Sequence, residues 1–167
     1  MVFHVAAQAR IQICIGNPLN SAKTNVYGTA CVLEAARHHG VKRFVYSSTS
    51  SSYGLINEPP LVETMTRDCL NPYSITKCCG EDLSKNYVDI HGMEVIILRY
   101  FSVCRGKSYT VMDLVGMISK HESPIEGKDF VFIEERYGES RHTLSDCSKI
   151  KKYMGWEPKI HLEEWLS

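Results

Sequence analysis

Three short apolar runs, separated by two long helical periodicities, leave this chain few folds to choose from. The runs are Val2 to Ala6, Lys42 to Ser47 and Glu94 to Phe101, and each has the length and apolar centre of a buried strand. Between the first two, Leu19, Ala22, Val26, Ala30, Leu33 and Ala36 recur every three or four residues. That spacing predicts an amphipathic helix from about Pro18 to His39, with Pro18 in its first turn and Gly40 as its left-handed stop. Between the second and third runs, Pro72 opens a helix predicted to reach about His91 and to close at Gly92. Strands joined through helices run parallel, because the helix carries the chain back to the end of the sheet at which the preceding strand began. The predicted class is therefore α/β, a doubly wound parallel sheet. Beyond it the elements shorten: a helix over Val111 to Lys120, a strand over Phe130 to Ile133, a helix capped by Asp146 and ended by Gly155, and a last turn at Leu162 to Leu166. These read as a small lobe on the sheet's edge, giving two domains, 1–103 and 104–167.

Composition narrows the class of partner. Hydrophobic residues make up 44% of the chain, enough for a globular α/β core. Lys plus Arg and Asp plus Glu stand at 19 each, so no global field draws the chain to nucleic acid or to an anionic membrane, and a small-molecule partner is expected. The seven cysteines include no Cys-x-x-Cys pair, which leaves neither a zinc knuckle nor a complete disulfide framework and suits cytosolic thiols. No signal-like leader and no apolar run of membrane-span length is present, so the reading is a cytoplasmic protein with no metal.

The chemistry concentrates at the start of the second helix. Tyr73 and Lys77 are four apart, which places both side chains on one face about a turn from each other. A tyrosine ionises near pH 10, and a neighbouring ammonium is the simplest way to favour its phenolate. Such a pair arises often by chance, and its context decides its meaning. That context is the segment Phe44-Val-Tyr-Ser-Ser-Thr-Ser-Ser-Ser-Tyr-Gly54. It would deliver hydroxyls at the carboxyl end of a parallel strand, where open α/β sheets bind ligands. A long loop through Pro59 and Pro60 to Asn71 follows it.

With these residues in view, the chain resembles the extended short-chain dehydrogenase/reductase superfamily, in its NAD-dependent epimerase/dehydratase branch, and most of all the UDP-glucose 4-epimerases. Val-Phe-His-Val-Ala-Ala-Gln-Ala (2 to 9) resembles the family's fourth strand and the loop after it, and Thr24-Asn-Val-Tyr-Gly-Thr29 its Asn-Val-x-Gly-Thr helix. Asn71-Pro-Tyr-Ser-Ile-Thr-Lys77 matches the catalytic helix start, and Leu98-Arg-Tyr-Phe-Ser-Val103 resembles a segment that touches nicotinamide and substrate. Arg136-Tyr-Gly-Glu139 is similar to a motif gripping the nucleotide diphosphate and ribose. The resemblance implies a partial Rossmann-like sheet with a reduced substrate lobe. It implies NAD as cofactor, contacted by Val5, Ala6, Ala7, Asn25, Ser47, Tyr73, Lys77, Tyr100 and Phe101. It further implies a nucleotide-sugar substrate, a UDP-sugar in this branch, held by Thr49, Ser102, Arg136 and Glu139.

The same resemblance assigns roles. Tyr73 takes the proton of the sugar 4-hydroxyl while NAD accepts hydride from carbon 4, Thr49 bonds the reacting oxygen, and Lys77 lowers the tyrosine's pKa and holds the nicotinamide ribose. Related 4,6-dehydratases need a Glu just after the threonine to expel water, whereas this chain has Ser50 and Ser51. Epimerisation at carbon 4 is therefore the expected reaction, ahead of dehydration. The stretches Ala6-Ala-Gln-Ala-Arg10 and Arg141-His-Thr-Leu-Ser-Asp146 lean toward a hexuronate or N-acetylhexosamine substrate.

Two departures set a competing expectation. The eleven glycines nowhere form the Gly-x-x-Gly-x-x-Gly loop that binds pyrophosphate in this family, and the chain opens on what resembles its fourth strand. After Val103, Cys104-Arg-Gly106 runs almost at once into Tyr109-Thr-Val-Met-Asp-Leu114, a later family segment. The alternative reading is a non-catalytic remnant or interaction protein derived from such an enzyme, inactive on its own. It also leaves Val2 to Ala6 as a bare apolar sheet edge, for which self-association is the expected outcome. Sedimentation at micromolar concentration should then show oligomers, and Val5→Lys should shift them toward monomer; a clean monomer of the unmodified chain would refute this.

Overall fold

The structure, a computed structural model, describes residues 1–101, 109–119, 127, 131, 133–134, 136–139 and 143–166. The chain divides into two compact units, the first of Met1–Glu58, Thr64–Phe101 and Gly138–Arg141, the second of Pro59–Glu63, Ser102–Tyr137 and His142–Ser167.

The first unit is a three-stranded parallel sheet in sequential order with helices packed on it. Strand β1 (Val2–His4) pairs with β2 (Arg43–Thr49), and β2 with β3 (Glu94–Tyr100), in a register that sets Val2 beside Phe44 and Thr49 beside Tyr100. Each of the three apolar runs thus contains a strand, the first ending at His4 two residues short of the expected Ala6, and the α/β class with a parallel sheet holds. Strand β2 continues two residues beyond the expected Ser47, so that Ser48 and Thr49 stand on the sheet itself.

The first long periodicity is a helix in three sections. It starts at α2 (Pro18–Ala22), capped by Asn17, which accepts from the Asn20 amide at 3.1 Å. A π turn at Lys23–Tyr27 follows, and α3 (Gly28–His38) completes it. At the π turn the Gly28 amide reaches the Lys23 carbonyl five residues back. An earlier helix, α1 (Ile11–Gly16), occupies a stretch whose sequence reads as polar loop. It is short, no side chain caps its start, and Cys14 is its one buried residue, so no periodic stripe marks it. Helix α4 (Pro72–His91) has the expected ends: Pro72 in the first turn, and Gly92 at φ 64°.

The core lies where Leu33, Ala36, Phe44, Tyr46 and Met93 meet, with Val95, Ile97 and Leu83 against them. Each fully buried Leu or Phe contributes about 1.5–3 kcal/mol. Tyr46 needs a partner for its hydroxyl, and donates it to the Lys77 carbonyl at 3.2 Å. That approach requires Gly80, because a Cβ there would collide with the Tyr46 ring and hydroxyl. A small residue on α4 thus allows the helix to press on the middle of the sheet.

Polar clamps fix the remaining degrees of freedom. Asn25, at the π turn and 1% exposed, accepts from the Gln8 amide at 2.7 Å and donates to the Gln8 carbonyl and the Thr76 hydroxyl, both at 3.0 Å. One side chain ties the loop after β1 to α4. Glu81 on α4, also 1% exposed, is a second clamp. Its carboxylate accepts a 2.5 Å bond from Ser48, paired bonds of 2.9 and 2.8 Å from Arg99 on β3, and a 2.8 Å bond from Arg67. Burial alone would raise the Glu81 pKa, but the bonds from Arg99 and Ser48 and the two positive charges hold it down at about 2.

The second unit contains α5 (Val111–Ser119), α6 (Ser148–Met154) and α7 (Leu162–Leu166), with a parallel bridge between Leu61 and Ser145. Thr110 caps α5 by accepting from the Asp113 amide at 3.1 Å. Asp146 accepts from the Ser148 amide at 2.7 Å, but Cys147 holds the cap position of α6, one residue later than expected. Of the expected strand at Phe130 to Ile133, Phe130 and Phe132 lie outside the described residues, and Val131 and Ile133 are in no strand. Among the described residues no helix is long and apolar enough to cross a membrane.

Two stability measurements test the clamps. Glu81→Gln leaves the largely buried Arg99 guanidinium without its counter-charge and takes from Arg67 one of its two carboxylates, and should cost about 3 kcal/mol in urea unfolding. Since the folded carboxyl titrates at about 2 against an ordinary 4.5, its stabilisation is complete above pH 4.5 and is lost as pH falls toward 2. Acid unfolding of the Gln variant should lack that part of the slope. Asn25→Ala should cost about 1–3 kcal/mol and speed hydrogen exchange at the Gln8 amide, whose buried acceptor is removed; unchanged exchange there would show that the loop holds itself.

Candidate active site

The carboxyl ends of β2 and β3 and the first turns of α4 enclose a cleft of about 330 Å³, lined by Val5, Ala7, Ala9, Ser47, Ser48, Thr49, Tyr73, Lys77 and Tyr100. Register explains the sheet's contribution. Thr49 and Tyr100 are paired at the ends of their strands, so one hydroxyl and one aromatic ring face the opening side by side.

The helix contribution rests on its start. Asn71 accepts from the Ser74 amide at 2.8 Å, and the Ser74 hydroxyl faces the Asn71 amide at 3.4 Å, a reciprocal cap that sets the first turn. The Asn71 amide group also donates to the Gly138 carbonyl at 2.7 Å. Tyr73 follows as the second helical residue, and Lys77 lies one turn on. The four-residue spacing thus brings both side chains to the same cleft, as the sequence predicts.

Their electrostatics differ from the simplest expectation. Burial raises the Tyr73 pKa above its ordinary 10.0, against a hydrogen bond with the Thr49 hydroxyl that lowers it. Lys77 is 2% exposed, and burial brings its pKa down to about 8, opposed by the field of Glu81. Its ammonium sits 4.3 Å from the centre of the Tyr46 ring. The Thr49 hydroxyl is thus a group that favours the phenolate of Tyr73 in this geometry. Tyr73 and Lys77 both remain in their protonated forms at neutral pH, a buried acid beside a buried cation. His4, packed below, bonds the Thr29 hydroxyl at 2.9 Å, and burial, followed by the charge of Lys77, lowers its pKa.

Of the site residues expected from the sequence, Val5, Ala7, Ser47, Thr49, Tyr73, Lys77 and Tyr100 line the cleft together. Ala6 is exposed and outside the lining, Asn25 is buried and committed to Gln8 and Thr76, and Phe101 packs on Tyr53 with ring centres 5.9 Å apart. Glu139 is exposed in the first unit, where it accepts from Gln12 at 3.3 Å. Arg136 is exposed and belongs to the second unit. Ser102 lies outside the described residues. The sequence reading missed Ala9, Ser48, Glu81 and Arg99. A signal for Glu81 was available, because Tyr73, Lys77 and Glu81 follow one another at four-residue steps along one face of α4. Among the described residues no carboxylate lines the cleft, and no group of three or more His, Cys, Asp or Glu could hold a metal ion.

Comparison with known proteins places this geometry. A family model described as GDP-mannose 4,6 dehydratase matches residues 1–134. The chain is 27% identical over a 225-residue alignment to a UDP-glucuronate 4-epimerase of Thermodesulfobacterium geofontis, covering 99% of this chain and 69% of that protein. It is 30% identical over 146 residues to a putative UDP-glucose 4-epimerase of Methanocaldococcus jannaschii, covering 80% of this chain and 48% of the relative. The chain thus spans only about half the length of the second relative. Among solved structures, the UDP-glucose 4-epimerase of Thermotoga maritima with UDP-glucose superimposes with a TM-score of 0.80 at 27% identity, over 99% of this chain and 74% of that one. The parallel sheet, the Tyr73–Lys77 helix start and these matches agree: the chain belongs to the GDP-mannose 4,6-dehydratase family of NAD-dependent epimerases and dehydratases, within the extended short-chain dehydrogenase/reductase superfamily.

Proposed function

We propose that this chain carries the catalytic part of a nucleotide-sugar 4-epimerase acting on a UDP-sugar. The observation that supports this reading over dehydration is the cleft's inventory: a phenol, a threonine hydroxyl and a buried ammonium, with no carboxylate among the described lining residues. Elimination of water from a sugar needs an acid and a base placed on adjacent carbons, and Ser50 and Ser51 follow Thr49 where a carboxylate would serve. Epimerisation through a transient ketone needs only one proton acceptor and donor at the reacting oxygen.

The lining also fits the nicotinamide and ribose half of NAD. Val5, Ala7 and Ala9 are small enough to leave room for a flat ring along one wall, and Lys77 and Ser47 offer donors to ribose hydroxyls. Bound NAD would supply the acceptor and donor of hydride. Tyr73 would take the proton from the sugar hydroxyl and return it to the same oxygen, and Thr49, bonded to the phenol, would hold that oxygen in line. Lys77 would keep positive charge beside the site, which favours the phenolate once the cleft is closed to water. The pyrophosphate half requires a helix N-terminus with a glycine-rich turn, which is not written in these 167 residues. By themselves they are expected to bind NAD too weakly to retain it through purification; micromolar affinity by calorimetry would overturn that expectation.

Catalysis is tested by joining the chain in frame to the glycine-rich N-terminal segment of a UDP-glucose 4-epimerase, with the stretch after Val103 refilled from the same relative. This protein should interconvert UDP-glucose, UDP-glucuronate or UDP-N-acetylglucosamine with its 4-epimer, and Tyr73→Phe should lower the rate about 10²- to 10⁴-fold while leaving sugar binding intact. A Phe variant as fast as its parent would remove Tyr73 from the mechanism. A folded chimera that binds UDP-sugar and NAD without turnover would favour the non-catalytic reading.

A further inference from the structure

The chemistry of α4 is not confined to the face that lines the cleft. The thiol of Cys78, the residue after Lys77, is 6% exposed and lies 3.4 Å from the thiol of Cys69 in the segment leading to the helix cap. Cys69 is half-buried, so of the two residues it is the more open to solvent. No disulfide joins them, and closing the gap to about 2.05 Å requires movement of little more than 1 Å. We propose that Cys69 and Cys78 form a peroxide-sensitive dithiol, with Cys69 the sulfur oxidised first and Cys78 the one that resolves it.

Three features of the surroundings carry this. The Cys69 thiol is pulled down to about 7 by its hydrogen bond with Cys78, against burial, and the Ser74 hydroxyl and the charge of Arg67 add to the effect. A substantial share of Cys69 is then thiolate at neutral pH, the form that reacts. Cys78 has the opposite character: contact with the Cys69 thiolate and burial both raise its pKa, so it stays protonated until its neighbour loses its charge. Arg67, which also bonds Glu81 and Asp82 at 2.8 Å, is anchored, so its charge stays near the pair. The adjacent Cys79 is bonded to neither sulfur in this arrangement, which makes Cys78 the geometric partner.

The step balances with hydrogen peroxide as oxidant. The Cys69 thiolate attacks one peroxide oxygen, the O–O bond breaks, and hydroxide leaves to take a proton from solvent, giving a sulfenic acid at Cys69. The Cys78 sulfur then attacks that sulfur; the S–S bond forms, the S–O bond breaks, and the hydroxyl departs with the Cys78 proton as water. Two thiols lose two electrons, and peroxide becomes two waters. The product pins the segment before Asn71 onto α4, one residue from Lys77.

Peptide mapping of the purified full chain tests this without reference to catalysis, so failure of the epimerase reading leaves it intact. Trypsin cleaves after Arg67, Lys77 and Lys85, placing Cys69 in peptide 68–77 and Cys78 with Cys79 in peptide 78–85. After stoichiometric peroxide the two peptides should appear cross-linked, lighter by two hydrogens, with fragmentation assigning the bridge to Cys78. Dithiothreitol should release them, and the cross-link should persist in Cys79→Ser. Cys69 oxidised to sulfinic or sulfonic acid without a cross-link, a bridge to Cys79, or an unmodified Cys69 would each overturn the assignment.

Discussion

The buried carboxylate of Glu81 is the constraint around which the first unit is assembled. A charge this deep is tolerated only when its oxygens are filled, and here β2, β3 and the loop before α4 each send a donor to it. Satisfying one side chain therefore fixes three separate segments against the helix. The short Ser48 bond is the most telling of these, because it locks the residue immediately before Thr49 and so fixes where the strand delivers the Thr49 hydroxyl to the cleft. Tyr73 and Lys77 occupy the preceding turns of the same helix, and their positions follow from the same anchor.

Charge also explains the character of the cleft. Burial works against the charge of Lys77, while the Tyr46 ring and the field of Glu81 support a cation where water would otherwise be needed to stabilise it. Tyr73 is held in the opposite balance, with burial favouring the neutral phenol and Thr49 favouring the anion. Two groups whose ordinary pKa values nearly coincide are thereby drawn apart, the lysine downward and the tyrosine upward, a separation characteristic of paired acid–base groups. The division of labour is architectural: the network behind the cleft fixes atoms, while the cleft itself keeps small and uncharged walls at Val5, Ala7 and Ala9.

Asn25 shows how a motif residue can serve a site without entering it. The resemblance that singles it out concerns cofactor contact, yet its side chain is consumed by Gln8 and Thr76. The π turn at Lys23–Tyr27 is the backbone irregularity in which it sits, and irregularities of this kind recur beside functional sites. By holding Gln8 it shapes the loop whose Ala7 and Ala9 wall the cleft, and by holding Thr76 it meets the helix between Tyr73 and Lys77.

What the sequence determined by itself was everything encoded by neighbours in the chain. Pro18 and Pro72 mark helix starts, Gly40 and Gly92 mark stops, apolar runs mark the strands, and the four-residue step from Tyr73 to Lys77 places two ionisable groups on one face. These are local consequences of backbone geometry, and alternation of strand and helix extends them to a parallel sheet. Tertiary structure alone decided which distant partner each polar group met. Ser48 and Glu81 are separated by 33 residues, Asn25 and Thr76 by 51, and Lys77 finds the Tyr46 ring on another element altogether. Nothing in the local pattern ranks one partner above another, because the choice is made by burial: once the core brings those segments together, every polar group enclosed with them must bond what is within reach. The helix α1, too short and too weakly capped to announce itself, forms under the same rule, its buried Cys14 bonded to the Gln8 carbonyl at 3.4 Å.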